Sequence, residues 1–182
     1  MIALEEEQRL LALARGKRAQ RDQVMQELFE QLRSPLFNLA LRMTGRPDLA
    51  DDAVQETFID VLRGIAKFRG DSRLTTWVFR IAVRASTRVK VRASKRPQSL
   101  EVDLTDGRPT PAEASSQLDG ARRILRAIEK LPPAQRAVLS LMALKDLSQS
   151  EIAEVLGLPD GTVYSRVHEA RARLREILDR EG

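Results

Sequence analysis

The apolar periodicity of this chain fails once, over residues 97–117, and that break limits the folds that the sequence can adopt. The segment RPQSLEVDLTDGRPTPAEASSQ, which begins at Arg96, is rich in proline, serine and acidic residues and predicts an acidic linker. On both sides of it, apolar residues recur at the spacing of helices that bury one face. The sequence therefore predicts an all-α protein of two small helical domains, residues 1–96 and 118–182, joined by a flexible linker over 97–117.

Composition supports helices and excludes several kinds of site. Glycine and aromatic residues are few, which favours helix over sheet. The 182 residues include no cysteine, so the sequence offers no disulfide, thiolate metal site or cysteine nucleophile. The opening residues, MIALEEEQRLLALARGKR, do not resemble a secretory signal, and no apolar run approaches the roughly 20 residues of a membrane span. We expect a cytoplasmic protein without membrane insertion.

Four helices are predicted in each half. The first half contains Leu4–Arg15, Arg21–Thr44, Leu49–Ile65 and Arg73–Ala93, and the second half contains Leu118–Leu131, Ala134–Leu144, Ser148–Leu156 and Pro159–Leu178. Pro35 is expected to kink the second helix, and Asp71 or Ser72 is expected to start the fourth. Candidate core residues share one face of the second, third and fourth helices: Val24, Leu28, Leu32, Leu39, Met43, Val54, Phe58, Val61, Leu62, Ile65, Leu74, Val78, Ile81, Ala85 and Val89.

The last two helices have the pattern of a helix-turn-helix unit. Ser148 and Glu151 fit a capping box, Gly157 follows the last turn, and Pro159 suits the start of the next helix. In such units the outer face of the second helix lies in the DNA major groove. Val163, Val167, Ala170 and Leu174 are expected to pack inward. The groove face is then formed by Thr162, Tyr164, Ser165, Arg166, His168, Glu169, Arg171 and Arg175.

The arginines of this helix have an ordinary alternative explanation. A charged run is usually a solvated face, and the net charge of +5, from 31 basic and 26 acidic residues, is modest. The intact helix-turn-helix spacing and the density of arginine between Arg166 and Arg175 favour contact with DNA over that alternative.

Two stretches together resemble a known family. LPPAQRAVLSLMALKDLSQSEIAEVLGLPDGTVYSRVHEARARLR (131–175) is similar to the C-terminal DNA-binding region of bacterial sigma factors of the extracytoplasmic-function (ECF) group. DLADDAVQETFIDVLRGIAKFRGDSRLTTWVFRIA (48–82) resembles their promoter-melting domain. The resemblance implies a specificity subunit of RNA polymerase that recognises the minus-ten element with residues 1–96 and the minus-thirty-five element with residues 118–182.

The resemblance also implies the partners. These are core RNA polymerase, through its β′ coiled coil and β flap, promoter DNA, and an anti-sigma factor. The protein would act as a monomer within the holoenzyme and would use no cofactor, since polymerase supplies the chemistry.

An acidic face is predicted on the third helix, where Asp51, Asp52, Gln55 and Glu56 point to solvent. Carboxylates near a helix N-terminus are common without any partner, and on their own these residues would be given that explanation. The resemblance implies that this face, with the neighbouring Thr57, binds the β′ coiled coil.

A basic stripe is predicted on the fourth helix, where Arg80, Arg84, Arg88 and Arg92 follow one another at four-residue steps. Like charges at this spacing repel, so an anionic partner such as DNA phosphate is expected. The resemblance implies that the preceding loop captures a flipped minus-ten base; its residues are Phe68, Arg69, Gly70, Asp71 and Ser72. Trp77 is expected in the core.

The promoter sequence cannot be transferred from the family. Relatives often carry asparagine near position 84, asparagine or aspartate near 88, and basic residues at 164 and 169, whereas this chain has Arg84, Arg88, Tyr164 and Glu169.

Other functions are less well supported by the sequence. His168 has no second histidine or cysteine as a partner, so no metal site or catalytic site is expected. The main alternative is a dimeric repressor or activator in which residues 1–96 sense a signal or dimerise. A nucleic-acid enzyme lacks any catalytic constellation here.

Overall fold

The computed structural model describes residues 2–95, 112–144 and 147–180. The regular structure of these residues is helical, which confirms the all-α class. The elements in chain order are α1 (Leu4–Ala14), α2 (Arg18–Thr44), α3 (Pro47–Gly64), a 3₁₀ turn (Ile65–Lys67), α4 (Leu74–Lys95), α5 (Ala112–Glu129), α6 (Pro133–Met142), α7 (Gln149–Leu156) and α8 (Asp160–Arg180).

The first half is built on α2, which packs against α1, α3 and α4. The helix continues through Pro35, and its five predicted core residues, Val24 to Met43, are all buried. The buried side chains of α3 and α4 face it, including Val61 and Val78. This core fixes the outward faces of α3 and α4.

The core prediction is wrong for one residue of α3. Leu62 is 50% exposed, whereas Val54, Val61 and Ile65 are buried. Adjacent residues on a helix point about 100° apart, so Leu62 lies beyond the arc that contains Val61. Ile59, 47% exposed, lies on the same outer side.

The start of α4 also differs from the prediction. Neither Asp71 nor Ser72 begins the helix, which starts at Leu74. The Ser72 hydroxyl donates to the Arg73 carbonyl at 3.4 Å. The backbone N–H of Thr75 instead points at the carboxylate of Glu7, 3.4 Å away on α1. A residue distant in sequence therefore supplies the acceptor at this helix end.

The second half is a four-helix unit in which α8 contacts α5, α6 and α7. Helix α5 begins at Ala112 instead of Leu118. Arg136, 8% exposed, donates to the carbonyls of Ile128 at 3.3 Å and Leu131 at 2.9 Å and also to that of Glu129. This arginine closes the corner between α5 and α6. The part of the predicted linker over 97–111 lies outside the described residues.

The two halves pack on each other through α2 with α5 and α6, and through α4 with α7. The buried side chains of both halves, for example Leu39 and Val138, belong to one continuous hydrophobic cluster. The side of α4 that carries Arg80 consequently faces the first helix of the helix-turn-helix unit.

Candidate nucleic-acid interface

The helix-turn-helix geometry is formed as the sequence predicts. The Ser148 hydroxyl accepts from the N–H of Glu151 at 3.2 Å, and the Glu151 carboxylate accepts from the N–H of Ser148 at 2.7 Å. Gly157 ends α7 in the left-handed region, with φ at 65°, and the N–H of Leu158 donates to the carbonyl of Ala153 at 2.9 Å. These bonds fix the turn that orients α8.

The acid of this capping box is held in its charged form. Burial would raise the pKa of Glu151, but bonds from the N–H and hydroxyl of Ser148 and the charge of Arg73 outweigh it and hold the pKa below its usual range. A deprotonated Glu151 can therefore serve the cap and an ion pair together.

The outer side of α8 is exposed. Val163, Val167 and Ala170 are buried, and Leu174 is partly buried. Of the groove-face residues, Tyr164 is 71% exposed; Ser165, His168, Glu169, Arg171 and Arg175 are also exposed, and Thr162 and Arg166 are partly buried. The Ser165 hydroxyl donates to the Thr162 carbonyl at 3.1 Å. This face can meet DNA without any rearrangement of the second half.

The basic stripe is largely paired with carboxylates. Arg80 donates to both the carbonyl and the carboxylate of Glu154 at 3.0 Å. Arg88 contacts Asp60 at 2.7 Å and Glu56 at 3.4 Å, and Arg92 also contacts Glu56. Arg84 is exposed and has no ion pair within the described residues. In this structure, acids of α3 and α7 offset most of the repulsion within the stripe.

The acidic face divides into three exposed and two engaged residues. Asp51, Asp52 and Gln55 are exposed. Glu56 is partly buried because it binds Arg88 and Arg92. Thr57 is 1% exposed, and its hydroxyl donates to the Ala53 carbonyl at 2.6 Å. Thr57 is therefore a core side chain here, not a surface contact.

An apolar patch beside the acidic face was not predicted. Phe29 of α2 is 44% exposed and packs on Phe58, with the ring centroids 5.0 Å apart, and the guanidinium of Arg33 lies 5.7 Å over the Phe29 ring. Ile59 and Leu62 extend the patch along α3. The sequence signal was present, since Phe29 is adjacent to the buried Leu28 and so lies off the apolar stripe of α2.

The loop formed by residues 68–72 is fixed at its first residue. Because the resemblance assigns this loop to the minus-ten element, we call it the minus-ten loop. The Phe68 ring packs on Trp77 at 5.0 Å. Trp77 is partly buried and lies so close to Gly64 that a Cβ there would come within 2.9 Å of the indole. Arg69, Gly70 and Asp71 are exposed, and Ser72 is partly buried. The predicted core position of Trp77 is thus half correct, because the indole also supports the loop.

The other end of the loop is held by α1, which the sequence did not reveal. Glu7 is 2% exposed and accepts from the Thr75 hydroxyl at 2.8 Å and from Arg73 Nη2 at 3.3 Å. Arg73 also contacts Glu151 of α7 at 3.2 Å. Glu7 lies in a run of three glutamates, and nothing in that run marks one of them as buried.

Two more polar contacts join the halves. Lys90 donates to Glu129 at 2.9 Å and to the Thr44 carbonyl at 3.2 Å; burial lowers the pKa of Lys90 from its usual range, although Glu129 opposes the shift. Arg136 donates to the Met43 carbonyl at 3.1 Å. Together with Arg73 and Arg80, these residues contribute polar contacts between the halves.

Neither a metal centre nor a membrane span is found in the described ranges. They contain no group of three or more histidine, cysteine, aspartate or glutamate residues placed to hold a metal ion. His168 is exposed on α8. Within the same residues, no helix is long and apolar enough to cross a bilayer.

Two family models match the chain in order. Sigma-70 region 2 matches residues 28–96, and Sigma-70, region 4 matches residues 121–174. The ECF RNA polymerase sigma factor SigM of Mycobacterium tuberculosis (strain H37Rv) is 35% identical over 153 residues, which cover 84% of this chain and 76% of the relative. The ECF RNA polymerase sigma-E factor of Escherichia coli (strain K12) is 35% identical over 131 residues, 66% of this chain and 69% of the relative.

Two solved structures are similar in fold over most of the chain. CnrH in complex with the cytosolic domain of CnrY is 25% identical, with a TM-score of 0.72 over 97% of this chain and 99% of that one. The sigma factor RpoE in complex with the anti-sigma factor NepR from Bartonella quintana is 24% identical, with a TM-score of 0.61 over 85% of this chain and 95% of that one. The second likeness concerns the fold alone.

Proposed function

The chain belongs to the ECF group of RNA polymerase sigma factors. We propose which of its surfaces performs each step of transcription initiation. As a sigma factor, it binds core RNA polymerase, directs it to specific promoters and assists promoter opening. The observation that carries this function is the ordered match to sigma regions 2 and 4. We assign residues 1–96 to core binding and the minus-ten element and 118–182 to the minus-thirty-five element, with the linker between them shortened to 97–111 by the start of α5 at Ala112.

The groove face of α8 reads the minus-thirty-five element. Tyr164, Ser165, His168 and Glu169 are assigned to base edges because they are exposed on the outer side of the helix. Arg166, Arg171 and Arg175 are assigned to phosphates, and Thr162 lies at the start of the same face. Phosphate contacts position the helix and base contacts specify the sequence.

Promoter opening is assigned to the minus-ten loop and the basic stripe. The exposed residues of the loop, Arg69 to Asp71, can receive a base that leaves the stack. Arg84 can bind phosphate directly, whereas Arg80, Arg88 and Arg92 must first exchange a carboxylate partner for a phosphate. Such an exchange costs little where the ion pair is solvent-exposed.

Core binding is assigned to the outer side of α3. The exposed residues Asp51, Asp52 and Gln55 adjoin the apolar patch of Phe29, Ile59 and Leu62, and an apolar centre with a polar rim is typical of protein interfaces. We propose that this surface binds the β′ coiled coil, with Glu56 at its border and without Thr57. The second half would meet the β flap.

Regulation and location follow from the same proposal. An anti-sigma factor is proposed as a further partner, as the resemblance to ECF sigma factors implies, and the similar CnrH forms a complex with the cytosolic domain of CnrY. The protein would act in the cytoplasm, as a monomer within the holoenzyme, without catalysis or a cofactor of its own.

Co-purification with core polymerase followed by run-off transcription on a promoter library tests the proposal. The expected result is a stoichiometric complex that initiates at promoters with a shared pair of sequence elements at a fixed spacing. Sequence-specific binding to symmetric half-sites by a dimer, without polymerase, would support the repressor alternative and contradict the proposal.

A further inference from the structure

We propose that Glu7 of α1 is a positioning residue for promoter opening, because it holds the end of the minus-ten loop through Arg73 and the start of α4 through Thr75. The inference rests on the proposed role of that loop in capturing a base. Glu7 belongs to α1, a helix that lies outside the Sigma-70 region 2 match over residues 28–96.

Glu7 is a buried carboxylate that is surrounded by hydrogen-bond donors. At 2% exposure, a carboxylate needs several donors to offset the loss of hydration. One oxygen accepts from the Thr75 hydroxyl at 2.8 Å and from Arg73 Nη2 at 3.3 Å, and the other faces Arg73 Nε at 3.4 Å. Arg73 also donates to the Ile2 carbonyl at 2.9 Å. The guanidinium is therefore held at three acceptor atoms, two on Glu7 of α1 and one on Ile2, just before that helix.

These contacts decide where the loop ends. Phe68 is fixed against Trp77 at the start of the loop, and Arg73 is fixed against Glu7 immediately after it. The exposed residues between them have no such support, and Gly70 has open space around it. A base-binding loop must be held within a fraction of an ångström to keep its affinity, and here one of its two supports is electrostatic.

Helix α1 is itself well anchored, so it can act as a support. Leu10 and Ala14 of α1 are buried, as is Ile2 just before the helix, and Arg9 pairs with Glu27 of α2. The position of Glu7 relative to the α2–α4 core is thus set by packing and not only by its own ion pair.

The role of Glu7 grows when the halves separate. In this structure Arg73 also contacts Glu151 of α7, a bond that is lost once the second half moves to its own DNA element. Glu7 is then the carboxylate that remains on Arg73 within the described first half.

The test uses holoenzyme and a single-stranded non-template oligonucleotide that carries the minus-ten element, with one base at a time replaced by an abasic site. Wild-type holoenzyme should lose about tenfold in affinity when the captured base is missing, the order expected for one stacked base. Glu7→Gln keeps the shape but removes the charge, and it should reduce that abasic penalty severalfold while core affinity and duplex minus-thirty-five binding stay unchanged.

Matched variants separate positioning from general stability. Glu6→Gln removes a different ion pair on the same helix, the 2.6 Å contact with Arg9, and should leave the abasic penalty intact. Glu7→Asp keeps the charge and should restore part of the penalty. Should Glu7→Gln fail to fold, as judged by circular dichroism, Arg73→Gln removes the same link from a partly exposed position and should give the same loss.

The outcomes distinguish the two proposals. If the wild type shows no abasic-sensitive position, the loop does not capture a base, and both the loop assignment and this inference are overturned. If the wild type is sensitive and Glu7→Gln is equally sensitive, the positioning role alone is overturned. Equal losses in Glu6→Gln and Glu7→Gln would likewise reduce Glu7 to a structural residue.

Discussion

Arg84 differs from the other arginines of the basic stripe because no carboxylate among the described residues pairs with it. Arg80, Arg88 and Arg92 lie beside carboxylates of Glu154, Asp60 and Glu56, whereas Arg84 has none within the described residues. A phosphate that approaches Arg84 displaces only water and counterions, while one that approaches Arg88 must also displace two acids. The same side chain can therefore contribute different binding free energies at successive turns of one helix.

Arg84→Ala should consequently lower the salt dependence of promoter binding by about one unit of slope, as for the loss of one phosphate contact. The measurement is holoenzyme affinity for promoter DNA over a range of salt concentrations. Arg63→Ala, which removes an exposed arginine from α3, is the control and should leave the slope unchanged. Equal slopes for all three proteins would remove Arg84 from the DNA interface.

Glu169 offers a test of the proposal that the groove face reads base edges. It is exposed on α8, and a carboxylate can only accept hydrogen bonds, for example from cytosine N4. Glu169→Arg replaces an acceptor by a five-donor group and should change the preferred minus-thirty-five sequence, with a cost on the original site of about 1–3 kcal/mol.

Arg171→Ala provides the contrast on the same face. It should weaken binding about equally across sequences, because a phosphate contact carries no base information. Selection from a randomised minus-thirty-five library measures both variants. A shifted preference for Arg171→Ala with an unchanged one for Glu169→Arg would show that α8 is rotated on the DNA relative to this assignment.

Single helices show how much of the fold the sequence could predict. Periodicity located the helices because the requirement to bury one face acts within each helix, and the capping box and Gly157 marked the helix-turn-helix because their chemistry is local. Leu62 was misassigned since periodicity alone does not set the width of the buried arc. The sequence alone did not predict the pairing of Glu56 with Arg88 or of Glu7 with Arg73. The members of these pairs are 32 and 66 residues apart in sequence, so their contact depends on how the helices pack.

The α7–α8 turn can be tested by two glycine substitutions with opposite signs. Gly157 and Gly120 both have open space where a Cβ would lie, but Gly157 has a φ of 65° and Gly120 lies within α5. Gly157→Ala should destabilise the protein by about 1 kcal/mol through backbone strain. Gly120→Ala should stabilise it by about 0.5–1 kcal/mol, because alanine favours the helix. Denaturant unfolding gives both values, and a stabilising Gly157→Ala would contradict the left-handed turn.

Two substitutions on α3 separate an effect on core binding from an effect on stability. Leu62→Gln alters a side chain that is 50% exposed and should change the free energy of unfolding by less than about 0.5 kcal/mol, yet it should weaken binding to core polymerase. Val61→Ala, at a fully buried neighbour, should cost about 1–3 kcal/mol of stability. A Leu62→Gln protein with wild-type core affinity would show that the apolar patch is not the interface.

The two halves that the structure describes pack against each other, and one contact between them uses an arginine assigned to DNA. Arg80 of the basic stripe binds Glu154 on α7, Arg73 beside the minus-ten loop binds Glu151, and Lys90 of α4 binds Glu129 on α5. The groove face of α8 stays exposed in this arrangement, while part of the stripe is covered. Under the proposed assignments, full exposure of the stripe requires the halves to separate, and phosphate competes with the Glu154 carboxylate for Arg80.

Glu154→Arg should shift the free protein towards the open arrangement. Surface ion pairs contribute about 0.2–1 kcal/mol, and on that scale the loss of this partly buried pair changes the open-to-closed ratio by up to about fivefold. Repulsion from Arg80 adds to this. Because the chain has no cysteine, Gln26→Cys and Glu176→Cys can carry a donor and an acceptor dye on exposed sites of the two halves. Single-molecule energy transfer should report a larger open population, and affinity for single-stranded minus-ten DNA should rise as Arg80 becomes accessible.

Asp179→Arg makes the same change of charge at an exposed site on α8 and separates opening from simple electrostatic attraction. If Glu154→Arg and Asp179→Arg gave the same energy transfer and the same gain in DNA affinity, the Arg80–Glu154 contact would not hold the halves together.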